Sequence, residues 1–289
     1  MSLFEKSVDD TPTSVLAPIT GSAVLSKEGW HILHLFFRVN YGQWSSLNKE
    51  EQSAARAHLI FLVQKIQAQP KTQLLTLSMV GSKADIGFVL SSPDLHIVDH
   101  LSKQLTRSLG PQILVPVLSW LSMTELSEYA TTEAEYIENL KKNECLEANS
   151  KKFETDLSEF RSRMRKYSQD RLYPQFPNWP VVCFYPMSKR RAPSKNWYTL
   201  NFTTRKKLMA GHASIGRSYS GRIRQLITGS SGLDNEEWGV TLFARTTSDI
   251  KAIVYEMRFD PVSAEYAKFG EFFIGLQLSL EELCIRLEL

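Results

Sequence analysis

The chain predicts an α+β fold: two ferredoxin-like halves, each running β-α-β-β-α-β, whose sheets can pack on one another or close into one dimeric α+β barrel. Three observations predict it. Apolar runs of strand length alternate with longer helical runs, in the same order twice. One stretch recurs, since "SKADIGFVLSSPD" in the first half resembles "DNEEWGVTLFARTTSD" in the second and sets Gly87 against Gly239 and Asp94 against Asp249. A charged, helix-forming stretch separates the two sets. The expected division is a flexible N-terminal tail over 1–22, a first half over 23–130, a helical connector over 131–172 and a second half over 173–289.

The first strand is the apolar run Ile32 to Val39. "SLNKEEQSAARAHLIFLVQKIQ" follows as a helix with Ser46 or Asn48 near its start. "LLTLSMVG" and "ADIGFVLS" read as strands, "PDLHIVDHLSKQL" as a helix and "ILVPVLSWLSM" as a strand. The connector is rich in Glu and Lys and reads as solvated. The second half repeats the order with "WPVVCFYPM", the helix "TTRKKLMAGHASIGRSY", the strands "IRQLITGS" and "EWGVTLFAR", the helix "TTSDIKAIVYEMRF" and the strand "FGEFFIGLQLSL". The loop "TGSSGLDNEE" is a hairpin connection; acids follow its glycines and it holds no lysine for a phosphate.

With 289 residues, 43% hydrophobic and 22% charged, the composition is globular. No apolar run approaches the roughly 20 residues that span a bilayer. The start "MSLFEKSVDDTPTS" lacks the basic and apolar parts of an export signal. Cys145, Cys183 and Cys284 form no closely spaced pair, which reads as reduced thiols in a cytoplasmic protein. Net charge is only +3, but from Arg171 to Leu233 there is no Asp or Glu, against eleven Lys and Arg. Such a window fits a solvated basic face, a nucleic-acid surface or a pocket for a small polyanion. The bases are spread over strand, helix and loop with no docking motif, so no nucleic acid is expected.

In the second-half helix, Leu208, His212, Ile215 and Tyr219 share one stripe. His212 is thereby placed on a buried face, as a hydrogen-bonded core histidine or as the axial ligand of a haem iron. Alternation in "RIRQLITG" puts Gln225 on the apolar face with Ile223 and Ile227, where its amide needs a partner. In "CFYPMSKRR", Tyr185, Met187 and Lys189 share a face. A phenol, a thioether and a cation in a row suit a large, flat, partly anionic ligand. His96 and His100, with Asp99, could clip a metal at i, i+4 spacing, but no further ligand is evident and they read as exposed helix histidines.

"YPMSKRR", "NWYTLNFTTRKKLMAGHASIGRSY", "QLITGSSGLDNEEWGVTLFA" and "VYEMRFDPVSAEYAKFG" resemble the signatures of the chlorite-dismutase-like family, and most closely its coproheme decarboxylase branch. The resemblance runs over about residues 25–289, dense from "DRLYP" onward and thin before it. It implies peroxide-dependent decarboxylation of two propionates of iron coproporphyrin III (coproheme, both substrate and redox cofactor) to vinyls, giving haem b. It implies that His212 is the proximal iron ligand, Tyr185 the tyrosine that becomes a radical, and Lys189 the lysine that assists at a propionate. By the same resemblance Gln225 lies on the distal side, Arg171, Arg258 and Ser263 hold propionates, and Met187 packs beside the reacting one. It further implies a homopentamer, with hydrogen peroxide as co-substrate and coproporphyrin ferrochelatase as a transient partner. Two other readings stand beside it. Chlorite decomposition uses a distal arginine where this chain has Gln225, and a haem carrier or sensor would need His212 but not Tyr185.

Overall fold

The computed structural model describes residues 22–142 and 150–289. All of the expected N-terminal tail but its last residue, and Cys145, lie outside the described residues. The first half comprises β1 (His31–Val39), α1 (Tyr41–Ser46), α2 (Lys49–Gln67), β2 (Gln73–Met79), β3 (Ile86–Ser92), α3 (Leu95–Arg107) and β4 (Leu114–Thr124). The single helix expected after β1 is two. The first stops at Ser46, and Asn48 starts the second with a capping box, its side chain accepting from Glu51 N–H at 2.9 Å while Glu51 accepts from Asn48 N–H at 2.8 Å.

The connector forms α4 (Glu133–Lys142) and α5 (Lys151–Leu172). It is less solvated than its charge suggests. Leu140, Phe153 and Leu157 are buried together, and Tyr136 stacks on Phe160 at 4.1 Å. The second half comprises β5 (Val181–Lys189), a small hairpin of β6 (Arg191–Ala192) and β7 (Lys195–Asn196), α6 (Phe202–Ser218), β8 (Ile223–Gly229), β9 (Trp238–Ala244), α7 (Thr247–Met257), β10 (Ala267–Phe269), β11 (Phe273–Gln277) and α8 (Leu280–Arg286). The β6–β7 hairpin, β10 and α8 carry no periodic signal in the sequence, being too short to show one.

Strands β2-β3-β1-β4 form one ferredoxin-like set and β8-β9-β5-β11 the other. Pairings of β4 with β8 and of β11 with β2 join them into one closed antiparallel barrel, with β10 added along the edge of β5. Closure leaves every strand two faces and divides the apolar residues accordingly. Ile32, Phe36, Trp120, Phe184 and Phe243 fill the interior. Leu33, Leu35 and Phe37 point outward under α2, α3 and α8. Val181, Cys183, Tyr185, Val240 and Leu242 point outward on the second half and pack under Ile250 and Ile253 of α7. Each fully buried aromatic or aliphatic side chain contributes about 1.5–3 kcal/mol.

Gly87 and Gly239 both occupy the second position of their strands, β3 and β9. The match of Asp94 with Asp249 is corrected. Asp94 caps α3, but Thr246 caps α7, so Thr246 is its positional counterpart and Asp249 lies in the first turn. His96 and His100 are half-buried rather than exposed, because α3 packs that flank towards the sheet, and His100 Nε2 is buried. Among the described residues no group of three or more His, Cys, Asp or Glu side chains is placed to hold a metal ion. No described helix is long and apolar enough to cross a membrane. Cys183 and Cys284 are free and buried.

His34 is a polar residue wholly inside the barrel. Its ring stacks on Phe184 at 4.0 Å, and its Nε2 lies 2.9 Å from Thr241 Oγ1. Burial pushes its pKa down to about 3 from 6.5, so the folded protein keeps it neutral where the unfolded chain takes up a proton. The stability it permits is complete above pH 6.5 and is lost as pH falls towards 3, by about 1.4 kcal/mol per pH unit. Denaturant melts across pH 7 to 4 should show a shallower acid slope in His34→Phe than in wild type. Parallel slopes would remove His34 from the acid sensitivity.

Candidate functional site

Strand β5 is hydrogen-bonded along both edges, Tyr185 opposite Val240, Met187 opposite Trp238 and Phe269, and Lys189 opposite Ala267. That pairing fixes which way each side chain points, and Tyr185, Met187 and Lys189 share the outward face. Tyr185 is buried and stacks on Phe272 at 4.3 Å, with Phe269 at 5.7 Å. Burial, and secondarily Cys183, raise its phenol pKa above the ordinary range, while Arg258 opposes them. The hydroxyl therefore keeps its hydrogen at any working pH. The Arg258 guanidinium lies over the far aromatic ring, 3.9 Å from the centroid of Phe269.

Lys189 ends the strand. Its Nζ sits 4.6 Å from the centre of the Trp197 ring. Burial pushes its pKa down to about 8, against the pull of Asp260 and Glu237. Its amine is thus poised to change protonation near neutral pH, which an exposed lysine is not.

Helix α6 starts on Asn201, whose side chain accepts from Thr204 N–H at 2.8 Å. The buried face expected for His212 is corrected. No residue from Phe202 to Ser218 is fully buried, and Leu208, His212 and Ile215 are half-exposed. The helix leans on α7 and the turn Val262–Tyr266 rather than lying flat on the sheet. The His212 side chain is 23% exposed, and its Nδ1 lies 2.9 Å from Oδ2 of Asp260, itself only 4% exposed. Facing a carboxylate oxygen, Nδ1 is the donor, and in the neutral imidazole that leaves the lone pair on Nε2. Asp260 Oδ2 also accepts from Ser263 N–H at 3.2 Å, in the π-helical turn after α7.

Gln225 is half-buried on β8, as alternation places it. Its Nε2 nestles under α6 at Gly216, where an added Cβ would stand 3.0 Å away. The same residue lines a cavity of about 320 Å³ that also receives Arg171, from the last turn of α5, and Arg224. Arg171 Nε is buried there without a hydrogen-bond partner. Tyr185, Met187, Lys189, His212, Arg258 and Ser263 therefore gather around β5, α6 and the 258–263 turn, with Arg171 in the cavity and Gln225 reaching both places.

The all-positive window is not an all-positive surface. Five of its bases meet acids from outside it: Arg191 with Glu237, Lys195 with Glu265, Arg205 with Glu128, Lys206 with Glu135 and Arg222 with Asp249.

The model of the chlorite dismutase family matches residues 51–278. The chain belongs to that family. A novel haem-binding protein from Thermus thermophilus is 35% identical, with 91% of this chain and 96% of that one aligned at a TM-score of 0.75. A chlorite dismutase mutant from Candidatus Nitrospira defluvii is 15% identical over 90% of this chain and 96% of that one, at 0.67, and the imidazole complex of the enzyme from the same organism is 16% identical over the same shares, at 0.65. At those identities the two dismutases speak for the fold alone.

Asp260, Trp197, Phe269, Phe272 and Glu237 also belong to this cluster, although alternation and helical spacing do not single them out. Asp260 has the clearest signal, an acid immediately before Pro261 and three residues before Ser263. Replacing Asp260 with Ala strips the acceptor from Ser263 N–H and from His212. Denaturant melts should show a loss of about 1–3 kcal/mol, the cost of a buried donor left unpaired. An unchanged midpoint would mean that the carboxylate does not hold the turn.

Proposed function

We propose that this family member decarboxylates two propionates of iron coproporphyrin III in a hydrogen-peroxide-dependent reaction, giving haem b. The observation that carries the reading is the placement of an oxidisable phenol, Tyr185, and a titratable amine, Lys189, on one face of β5 beside the His212–Asp260 pair. The donor set suits the porphyrin. His212 keeps Nε2 free for an iron, and the half-exposed stripe of α6 offers a flat apolar wall. Arg171 Nε, buried and unpartnered, and Arg258 suit carboxylates. Ser263 joins them at the turn.

Bound iron coproporphyrin with peroxide supplies the two-electron oxidant. Overall, each propionic acid and one peroxide give a vinyl, CO2 and two waters. Tyr185 Oη surrenders its hydrogen atom to that oxidant and takes one back from the propionate β-carbon; the substrate radical then loses its carboxyl group as CO2 and a proton, and gives up its second electron to the same oxidant. Its raised pKa makes this a hydrogen-atom transfer, because the phenolate is out of reach. Lys189 Nζ orients the carboxylate while protonated. Met187, half-buried between them on the strand, keeps water from the reacting carbon. Gln225 offers neutral hydrogen bonds where a cation would retain an anionic oxychlorine product, so chlorite turnover should be poor. The carrier reading draws support from the Thermus neighbour, described only as haem-binding, and it leaves Tyr185 without work.

The reading extends to a cytoplasmic homopentamer that meets coproporphyrin ferrochelatase transiently. Val115 and Val117 of β4 are exposed, and β4 pairs with β8 only at Met123 and Thr124, which suits an edge covered by another copy.

Mixing the protein with iron coproporphyrin and peroxide and following product masses should show stepwise loss of two CO2-plus-two-hydrogen equivalents. Tyr185→Phe should bind the porphyrin as wild type does, read from its visible spectrum, yet form product at least about a hundredfold more slowly. Full turnover in that variant would sink the mechanism; equal binding with no turnover in wild type would favour a carrier. The wild-type rate should also fall above pH of about 8, as Lys189 loses its proton. In Lys189→Met the rate should be low and flat across that range.

A further inference from the structure

We propose that Glu237 is a positioning residue for Lys189, its carboxylate clamping the segment 190–199 onto the end of β5 so that the amine is held against the Trp197 ring. Glu237 stands one residue before β9, and its N–H donates to Met187 O at 3.0 Å. Its side chain is only 6% exposed. A carboxylate in such a place costs several kcal/mol unless its oxygens are well supplied with donors. They are supplied from both sides of one hairpin. Lys189 N–H donates to Oε2 at 2.7 Å, the Arg191 guanidinium donates to Oε1, and the Tyr198 hydroxyl hydrogen-bonds the same group. The root of the segment is closed by Trp197 N–H donating to Arg190 O at 3.0 Å.

The clamp thus fixes the strand end, the first hairpin strand and the turn that carries Trp197, and Trp197 is the floor under the Lys189 amine. The carboxylate also acts on that amine through space. Asp260, from the turn after α7, and Glu237, ahead of β9, are the acids whose charge raises the lysine's pKa against burial. Arg190 and Arg191 follow it in the chain, past the end of β5; Arg190 is turned to Ala267 O, and Arg191 is spent on Glu237. An amide would offer one accepting oxygen where the carboxylate offers two, and it would bring no charge to hold a half-buried lysine protonated.

This inference rests on Lys189 working in the decarboxylation, so its test has an arm that needs no turnover. Glu237→Gln keeps the size and removes the charge. In porphyrin-free protein, hydrogen–deuterium exchange over 190–199 should quicken about tenfold while the barrel strands keep their protection. With iron coproporphyrin and peroxide, kcat should drop about tenfold with KM within about twofold. The alkaline fall in rate should move about one pH unit lower, since an acid that raised the lysine's pKa is gone. If wild type makes no product, the decarboxylase reading fails while the exchange arm still decides the clamp. Unchanged exchange overturns the clamp. Faster exchange with an unmoved alkaline limb reduces Glu237 to a hairpin tie and overturns its hold on Lys189. Should Glu237→Gln fail to fold, Tyr198→Phe removes one donor from the same carboxylate while keeping its charge, so exchange over 190–199 should still quicken and unchanged exchange overturns the clamp.

Discussion

Strand β5 is the constraint on which the molecule depends. It is paired with β9 along one edge and with β11 and β10 along the other, so it cannot slide or flip without breaking the barrel's closure. Because the side-chain period is two, that same pairing sends Phe184 into the interior and Tyr185, Met187 and Lys189 out towards α6 and α7. Packing and chemistry are therefore set by one register. A shift of one residue would bury the amine of Lys189 among the interior phenylalanines and turn Phe184 towards the helices.

The two outer faces of the barrel differ in how they are covered. On the first half, Leu59, Leu62, Val63 and Ile66 of α2 and Val98, Leu101 and Leu105 of α3 are buried against the sheet. On the second half, α7 buries Ile250, Ile253 and Met257, while α6 buries nothing between Phe202 and Ser218. Two copies of one topology thus have one closed face and one that leaves His212 and an apolar stripe within reach of a ligand. Gly216 allows α6 to approach β8 as far as the Gln225 amide. Asp260 then fixes which nitrogen of His212 carries the hydrogen. The site exists because the second half is packed less completely than the first.

Much of this was legible in the sequence because it is local. Alternation at period two put Tyr185, Met187 and Lys189 on one side and Gln225 among Ile223 and Ile227. Ser46 or Asn48 marked a helix start, and the structure puts the cap of α2 at Asn48. The unreadable part lies in contacts between distant positions. The window from Arg171 to Leu233 contains no acid, yet Glu128, Glu135, Asp249 and Glu265 reach its bases from elsewhere in the chain. The buried face drawn for His212 failed for a related reason. Helical spacing says which side chains share a stripe, but not whether the neighbouring element comes close enough to cover it.

The charges at the end of β5 show why position matters more than net charge here. Lys189 is half-buried and would shed its proton near pH 8 even with two acids supporting it. Those acids differ in what else they do. Asp260 holds the His212 ring and the Ser263 turn, whereas Glu237 holds the Arg191–Tyr198 segment. The amine is thereby linked on one side to the residue suited to grip an iron and on the other to the loop that carries Trp197. A barrel with the same composition and the same +3 charge, but with these two acids placed elsewhere, would let the amine lose its proton more readily, and a carboxylate-bearing ligand would then have Arg258 but not Lys189 to meet it beside the phenol.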